Sequence, residues 1–104
     1  MNEAAIERYL VKRVKELGGE VRKVQWIGRK GAPDRLVMLP RFRHHLGTAT
    51  SCTLWVELKA PGLAATFPAN AHERAQDREH KRMRAMGQRV VVLDSREGID
   101  EVLR

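Results

Sequence analysis

Two short apolar runs, each meeting charge at one end, constrain this chain most. The first is Leu36-Val37-Met38-Leu39, which Gly31-Ala32-Pro33-Asp34-Arg35 opens. The second is Thr53-Leu54-Trp55-Val56-Glu57-Leu58-Lys59-Ala60, which Pro61-Gly62 closes. Apolar runs of this length bounded by Gly and Pro predict strands. Side chains alternate across a strand, so Leu54, Val56 and Leu58 point one way and Trp55, Glu57 and Lys59 the other. Glu57 and Lys59 then lie side by side at a strand end, and the Leu58 carbonyl between them can point toward the same place. Two carboxylates and a lysine on neighbouring strands can hold a divalent metal and a water beside a phosphate, the minimum for metal-assisted phosphodiester hydrolysis. Alone, Glu-x-Lys is usually a solvated strand face and Pro-Asp usually a turn. In this order, on two strands, they mark a candidate site.

The rest of the chain supplies the frame. Ile6, Leu10, Val14 and Leu17 recur at helical spacing and predict a helix over 3–17, capped by Asn2 and stopped by Gly18-Gly19. Glu7 stands at the edge of that apolar stripe, where it can look toward a sheet. Glu3, one turn earlier, is its rival. Alternation over 20–27 predicts a first strand. Gly28-Arg29-Lys30-Gly31 is then a basic glycine turn leading to Asp34, either a solvated hairpin or a phosphate-contacting loop. Arg41-Phe42-Arg43-His44-His45 is a second basic cluster. Adjacent histidines on an extended chain point apart, so it reads as a DNA-facing loop rather than a zinc site.

A second helix is predicted over 72–86, carrying Arg74, Arg78, Lys81, Arg82 and Arg84. His72-Glu73-Arg74-Ala75-Gln76 stops short of a zinc-binding helix, because Gln76 stands where the second histidine would be. His72, Gln76 and His80 share a face by their spacing, either a row looking into a cleft or a solvated polar face. Residues 88–93 predict a fourth strand. A short last helix follows over 96–104, capped by Asp94 or Ser95. The order α-β-β-β-α-β-α predicts one α/β domain spanning 1–104, with helices on both faces of a central sheet.

The formal charge of +7 favours a polyanionic partner, through neutralised phosphates and released counterions. Aromatics are only 5 %, too few for base stacking to be the main mode, so duplex backbone recognition is the expectation. A single cysteine, Cys52, excludes an internal disulfide and fits a reducing compartment. It reads as a small buried strand residue. No basic-then-apolar leader opens the sequence and no long apolar run interrupts it, so the expectation is a cytoplasmic protein without a membrane span.

These residues resemble the VRR-NUC family of the PD-(D/E)XK nuclease superfamily over nearly the whole chain. The resemblance is carried by Ile6-Glu7-Arg8-Tyr9-Leu10-Val11, Leu17-Gly18-Gly19 and Gly31-Ala32-Pro33-Asp34-Arg35-Leu36-Val37. Val56-Glu57-Leu58-Lys59-Ala60-Pro61-Gly62, Gln76 and Gly87-Gln88-Arg89-Val90-Val91-Val92-Leu93-Asp94-Ser95 carry the remainder. The stretch from Leu63 to Ala75 is longer than in typical members. The resemblance implies a restriction-endonuclease-like α-β-β-β-α-β core, a mixed central sheet flanked by helices. It implies that Asp34 and Glu57 bind Mg²⁺ or Mn²⁺ together with the Leu58 carbonyl, and that Lys59 positions or activates water. Glu7 and Gln76 would complete the site. It further implies a structure-selective DNA endonuclease of the small phage type, similar to Holliday junction resolvases. Arg29, Lys30, Arg35, Arg74, Arg78 and Arg82 are the candidate phosphate contacts. Resolving a junction takes two symmetric cuts, hence a homodimer. The alternatives are a flap or nonspecific nuclease working as a monomer, and a DNA-binding module without hydrolysis.

Overall fold

The computed structural model describes residues 2–40 and 53–104. The elements are α1 (Glu3–Glu16), β1 (Glu20–Lys23), β2 (Arg35–Met38), β3 (Thr53–Leu58), α2 (Ala71–Ala85), β4 (Val90–Leu93) and α3 (Arg96–Leu103). The basic cluster at Arg41–His45, the connection around it and Cys52 lie outside the described residues.

Each helix starts where a side chain satisfies a free backbone N–H. The Asn2 side chain accepts from Ala5 N–H, Asn70 from Glu73 N–H, and Ser95 from Gly98 N–H. Asp94 does not cap α3: its carboxylate accepts instead from Ala64 N–H, tying the stretch after β3 to the end of β4. Gly18, at φ 85°, ends α1 as a left-handed residue, and the N–H of Gly19 bonds back to the Val14 carbonyl at 2.9 Å.

The strands lie in the order β1-β2-β3-β4. The first three are antiparallel neighbours, and β3 pairs parallel to β4, with α2 as the crossover. Register places Val37 opposite Leu54 and Leu58 opposite Leu93. These residues face α1 and α3, and close a core with Ile6, Leu10, Val14, Val56, Ile99 and Leu103. Trp55 and Glu57 point to the other face, beneath α2, where Met83 and Val90 are also buried. Helices thus cover both faces of a mixed sheet, the restriction-endonuclease-like arrangement.

Two strands are shorter than their alternation predicts. β1 stops at Lys23, and beyond it Val24 N–H bonds only to the Asp34 carbonyl before the chain swings away through Gly28 and Gly31, both at positive φ. β4 starts at Val90, because Gln88 N–H is taken by the Met83 carbonyl in the turn that ends α2. Among the described residues, no helix is long and apolar enough to cross a membrane.

Candidate active site

Asp34 is fixed at the entry to β2 from both sides. Its carbonyl accepts from Val24 N–H at 2.9 Å, and its Oδ2 accepts from Leu58 N–H at 2.8 Å. That second bond sets the carboxylate beside the end of β3, where Glu57 projects from the same sheet face. Burial first, and then the negative charge of Glu57, push the Asp34 carboxyl up to about 6, with the Leu58 N–H pulling the other way.

Glu57 and Lys59 lie under α2 rather than in solvent. Glu57 is 2 % exposed and Lys59 9 %. Buried charges need partners, and α2 supplies them. Gln76 bridges the pair: its Nε2 donates to Glu57 Oε2 at 3.1 Å and its Oε1 accepts from Lys59 Nζ at 3.1 Å. Lys59 Nζ also lies 3.7 Å from Glu57 Oε2 and 3.0 Å from Glu73 Oε2. The Ala69 N–H and, after it, Lys59 hold the Glu73 carboxyl below the usual carboxylate range. Lys59 Nζ further sits 5.1 Å from the Phe67 ring centroid, a cation–π contact. Phe67 stacks in turn on His80, centroids 5.6 Å apart and planes 17° apart.

The loop that delivers Asp34 is clamped onto α2. Gly31, at φ 94°, passes so close that a Cβ there would lie 2.9 Å from the Glu79 Cβ and 3.1 Å from the Ala75 carbonyl oxygen. Arg29 donates to Glu79 through Nε at 3.0 Å and Nη2 at 2.7 Å. The clamp leaves Lys30 exposed beside it.

Glu7 is placed differently. Arg35 pairs in register with Val56, so it turns toward α1, where its Nε donates to Glu7 Oε2 at 2.8 Å and its Nη2 meets the same oxygen. Asp34, Glu57, Lys59 and Gln76 are therefore brought together, while Glu7 and Arg35 form their own ion pair on the α1 side. Arg35 is only 15 % exposed there. Arg74, Arg78 and Arg82 stand on the exposed side of α2. Of the row His72, Gln76 and His80, the first is exposed and the other two are buried at the site.

The sequence alone assigns no site role to Glu73, and reads Phe67 as packing or a dimer contact rather than as part of the site. Glu73 carried a usable signal, one turn before Gln76 on the same helix face. Phe67 carried none: it sits in the long connection after β3, with no periodicity to assign it a direction.

The donor set fits a hard divalent cation. Two carboxylates of like sign crowd one strand end, and Glu57 Oε1 is buried without a hydrogen-bond partner. Mg²⁺ and Mn²⁺ take oxygen ligands and tolerate a sparse protein shell completed by water. Among the described residues, no three His, Cys, Asp or Glu side chains converge as a ready-made cage.

Comparison with known proteins gives the chain its relatives. No family model matches it. It is 39 % identical over 97 residues to "Putative nuclease p44" of Acyrthosiphon pisum secondary endosymbiont phage 1, covering 93 % of this chain and 87 % of that protein. A solved structure described as "VRR_NUC domain" superposes with a TM-score of 0.73 at 34 % identity, covering 97 % of this chain and 92 % of that one. With its mixed sheet, its helices on both faces and these likenesses along nearly its whole length, the chain belongs to the VRR-NUC nuclease family.

Proposed function

We propose that the protein is a Mg²⁺- or Mn²⁺-dependent DNA endonuclease that acts on branched DNA, four-way junctions foremost, as a homodimer. The observation that carries the hydrolytic reading is the Asp34–Glu57 pair on adjacent strands with Lys59 pinned beside it by Gln76 and Glu73. Asp34, Glu57 and the Leu58 carbonyl would hold the ion, while Glu7, paired with Arg35 on the α1 side, takes no part in holding it. When bound, the ion supplies Lewis acidity at the phosphate.

The chain's own residues do the rest. Lys59 brings an ammonium next to Glu57, where it can hold the attacking water and offset charge growing on the phosphate. Gln76 keeps Lys59 and Glu57 apart at a fixed spacing, so their charges are not spent on each other alone. Phe67 packs on Lys59 and His80 at the site. Lys30, Arg74, Arg78 and Arg82 present exposed cations that suit duplex phosphates, while Arg29 spans loop and helix at the edge of that surface.

One site cuts one strand, so paired incision at a junction calls for two copies about a two-fold axis. The test is nicking of a four-way junction and of a linear duplex of the same sequence, with Mg²⁺ and with chelator, alongside solution mass with and without the junction. The expected result is ion-dependent, paired cleavage of the junction by a dimer. A monomer that cuts flaps and junctions equally overturns the resolving role. Undiminished cleavage in chelator, or by the Asp34→Asn protein, overturns the metal site.

A further inference from the structure

Among the described residues, the buried side-chain polar atoms without a hydrogen-bond partner are Glu57 Oε1, His80 Nδ1 and His80 Nε2. They occupy one spot, and Nε2 lies 3.6 Å from Oε1. Buried polar atoms are almost always paired, and orphaned ones are costly, so such a cluster beside the candidate metal ligands calls for a reason.

Packing alone does not supply one. His80 is 0 % exposed and lies flat against Phe67. A phenylalanine would fill that slot and stack as well, without burying two unsatisfied nitrogens. Nor does His80 reach solvent, so it is not part of a phosphate-binding surface. What the imidazole adds over a phenyl ring is a polar nitrogen aimed at Glu57.

We infer that His80 is a positioning residue, whose Nε2–H fixes the Glu57 carboxylate for metal binding through Oε1. The inference rests on the metal-dependent reading above. Nδ1 has no hydrogen-bond partner, whereas Nε2 has a carboxylate opposite, so Nε2 is the nitrogen placed to direct an N–H at Glu57. The 3.6 Å separation exceeds a hydrogen bond by about half an ångström, a gap that a small turn of the carboxylate toward the ring would close. Gln76, one turn earlier on α2, already donates to the other oxygen at 3.1 Å. With the second bond made, the carboxylate would be held at both oxygens from one helix and could not swivel about its last torsion, and each oxygen would keep a lone pair for the ion. Hydrogen bonds of this kind to ligating carboxylates commonly govern metal affinity by about ten- to a hundredfold.

The test is Mn²⁺ binding by titration calorimetry to the wild type, His80→Phe, His80→Gln and Asp34→Asn proteins, with thermal unfolding of each. His80→Phe keeps the ring stack and removes the orphaned nitrogens, so it should melt at or above the wild-type temperature. It should nonetheless bind Mn²⁺ at least about tenfold more weakly. His80→Gln, which places an amide N–H at similar reach, should recover part of that loss. Nitrogen-15 spectra of the metal-free wild type should show the Nε2–H tautomer, a readout that needs no variant to fold. Wild-type affinity in His80→Phe while Asp34→Asn has lost binding overturns the positioning role alone, and an Nδ1–H tautomer does the same. Nitrogen coupling to bound Mn²⁺ in pulsed electron paramagnetic resonance also overturns it, because His80 would then be a ligand. A wild type that binds no Mn²⁺ overturns the metal-dependent reading and this inference with it.

Discussion

The two faces of the sheet are built from the same strands and do opposite work. On the α1 and α3 side, Leu54, Val56, Leu58, Val37 and Leu93 meet Ile6, Leu10 and Ile99 in an apolar core. On the α2 side, Trp55 and Glu57 alternate with those residues along β3, and Lys59 continues the series. There the contacts are buried Gln76 and His80 and half-buried Glu73 and Phe67, and polar atoms are left over. One face is made of groups that gain by leaving water, whereas the other holds charges that tolerate burial only because each is steered onto a partner. The difference locates stability on one side and chemistry on the other, on adjacent residues of a single strand.

The largest effects should come from breaking the α2 face. Asp34→Asn, Glu57→Gln and Lys59→Ala are each expected to slow nicking by at least about a hundredfold. Circular dichroism should still show the folded chain, since none of the three belongs to the apolar core. Breaking the other face should do the reverse. Leu10→Ala or Ile99→Ala is expected to cost about 2–5 kcal/mol in urea unfolding, because both side chains are fully buried. The nicking rate per folded molecule should hardly change. If a core variant lost activity while remaining folded, the separation of the faces would fail.

A subtler difference lies in how the α2 face responds to pH. The Asp34 carboxyl stands near 6 in the fold against an ordinary 3.8, so the fold favours its neutral form. Through this group the metal-free protein loses stability as pH rises from about 4 to about 6, and changes little outside that window. Asp34→Asn keeps an oxygen for the Leu58 N–H and removes the charge. It should therefore match wild type at pH 4 and exceed it at pH 7 in urea unfolding without metal. Equal midpoints at both values would show that the paired carboxylates do not strain the fold. The smallest effect belongs to the rim. Lys30→Ala should weaken binding to all duplex sequences alike and lower the slope of log affinity against log salt by about one. An unchanged slope would remove the β1–β2 loop from the DNA surface.

Local patterns in the sequence were enough for most elements. The spacing of Ile6, Leu10 and Val14 predicts α1, and the alternation of Leu54, Val56 and Leu58 predicts β3 and its two faces. Asn2, Ser95 and the Gly18-Gly19 pair mark ends that the structure keeps. The same alternation sets Glu57 and Lys59 together, because two residues along a strand is a fixed distance whatever surrounds it.

What surrounds them could not be read that way. Gln76 is placed in the site by likeness, its spacing leaving cleft and solvent both open, and its bridge between Glu57 and Lys59 exists only because the β3–β4 crossover lays α2 over that end of the sheet. Phe67 enters the site from a connection with no period. His80 could be surface or cleft by its spacing, and becomes a buried neighbour of Glu57 only because α2 lies over the sheet. Glu7 shows the opposite outcome: its helix position lets it look toward the sheet, but the register of β2 sends Arg35 to meet it on the α1 side. Sequence fixes the direction of a side chain relative to its own element, since that depends on bonded geometry and nearest neighbours. Which two elements then touch depends on how the whole apolar surface closes, a sum over distant residues that no short window contains.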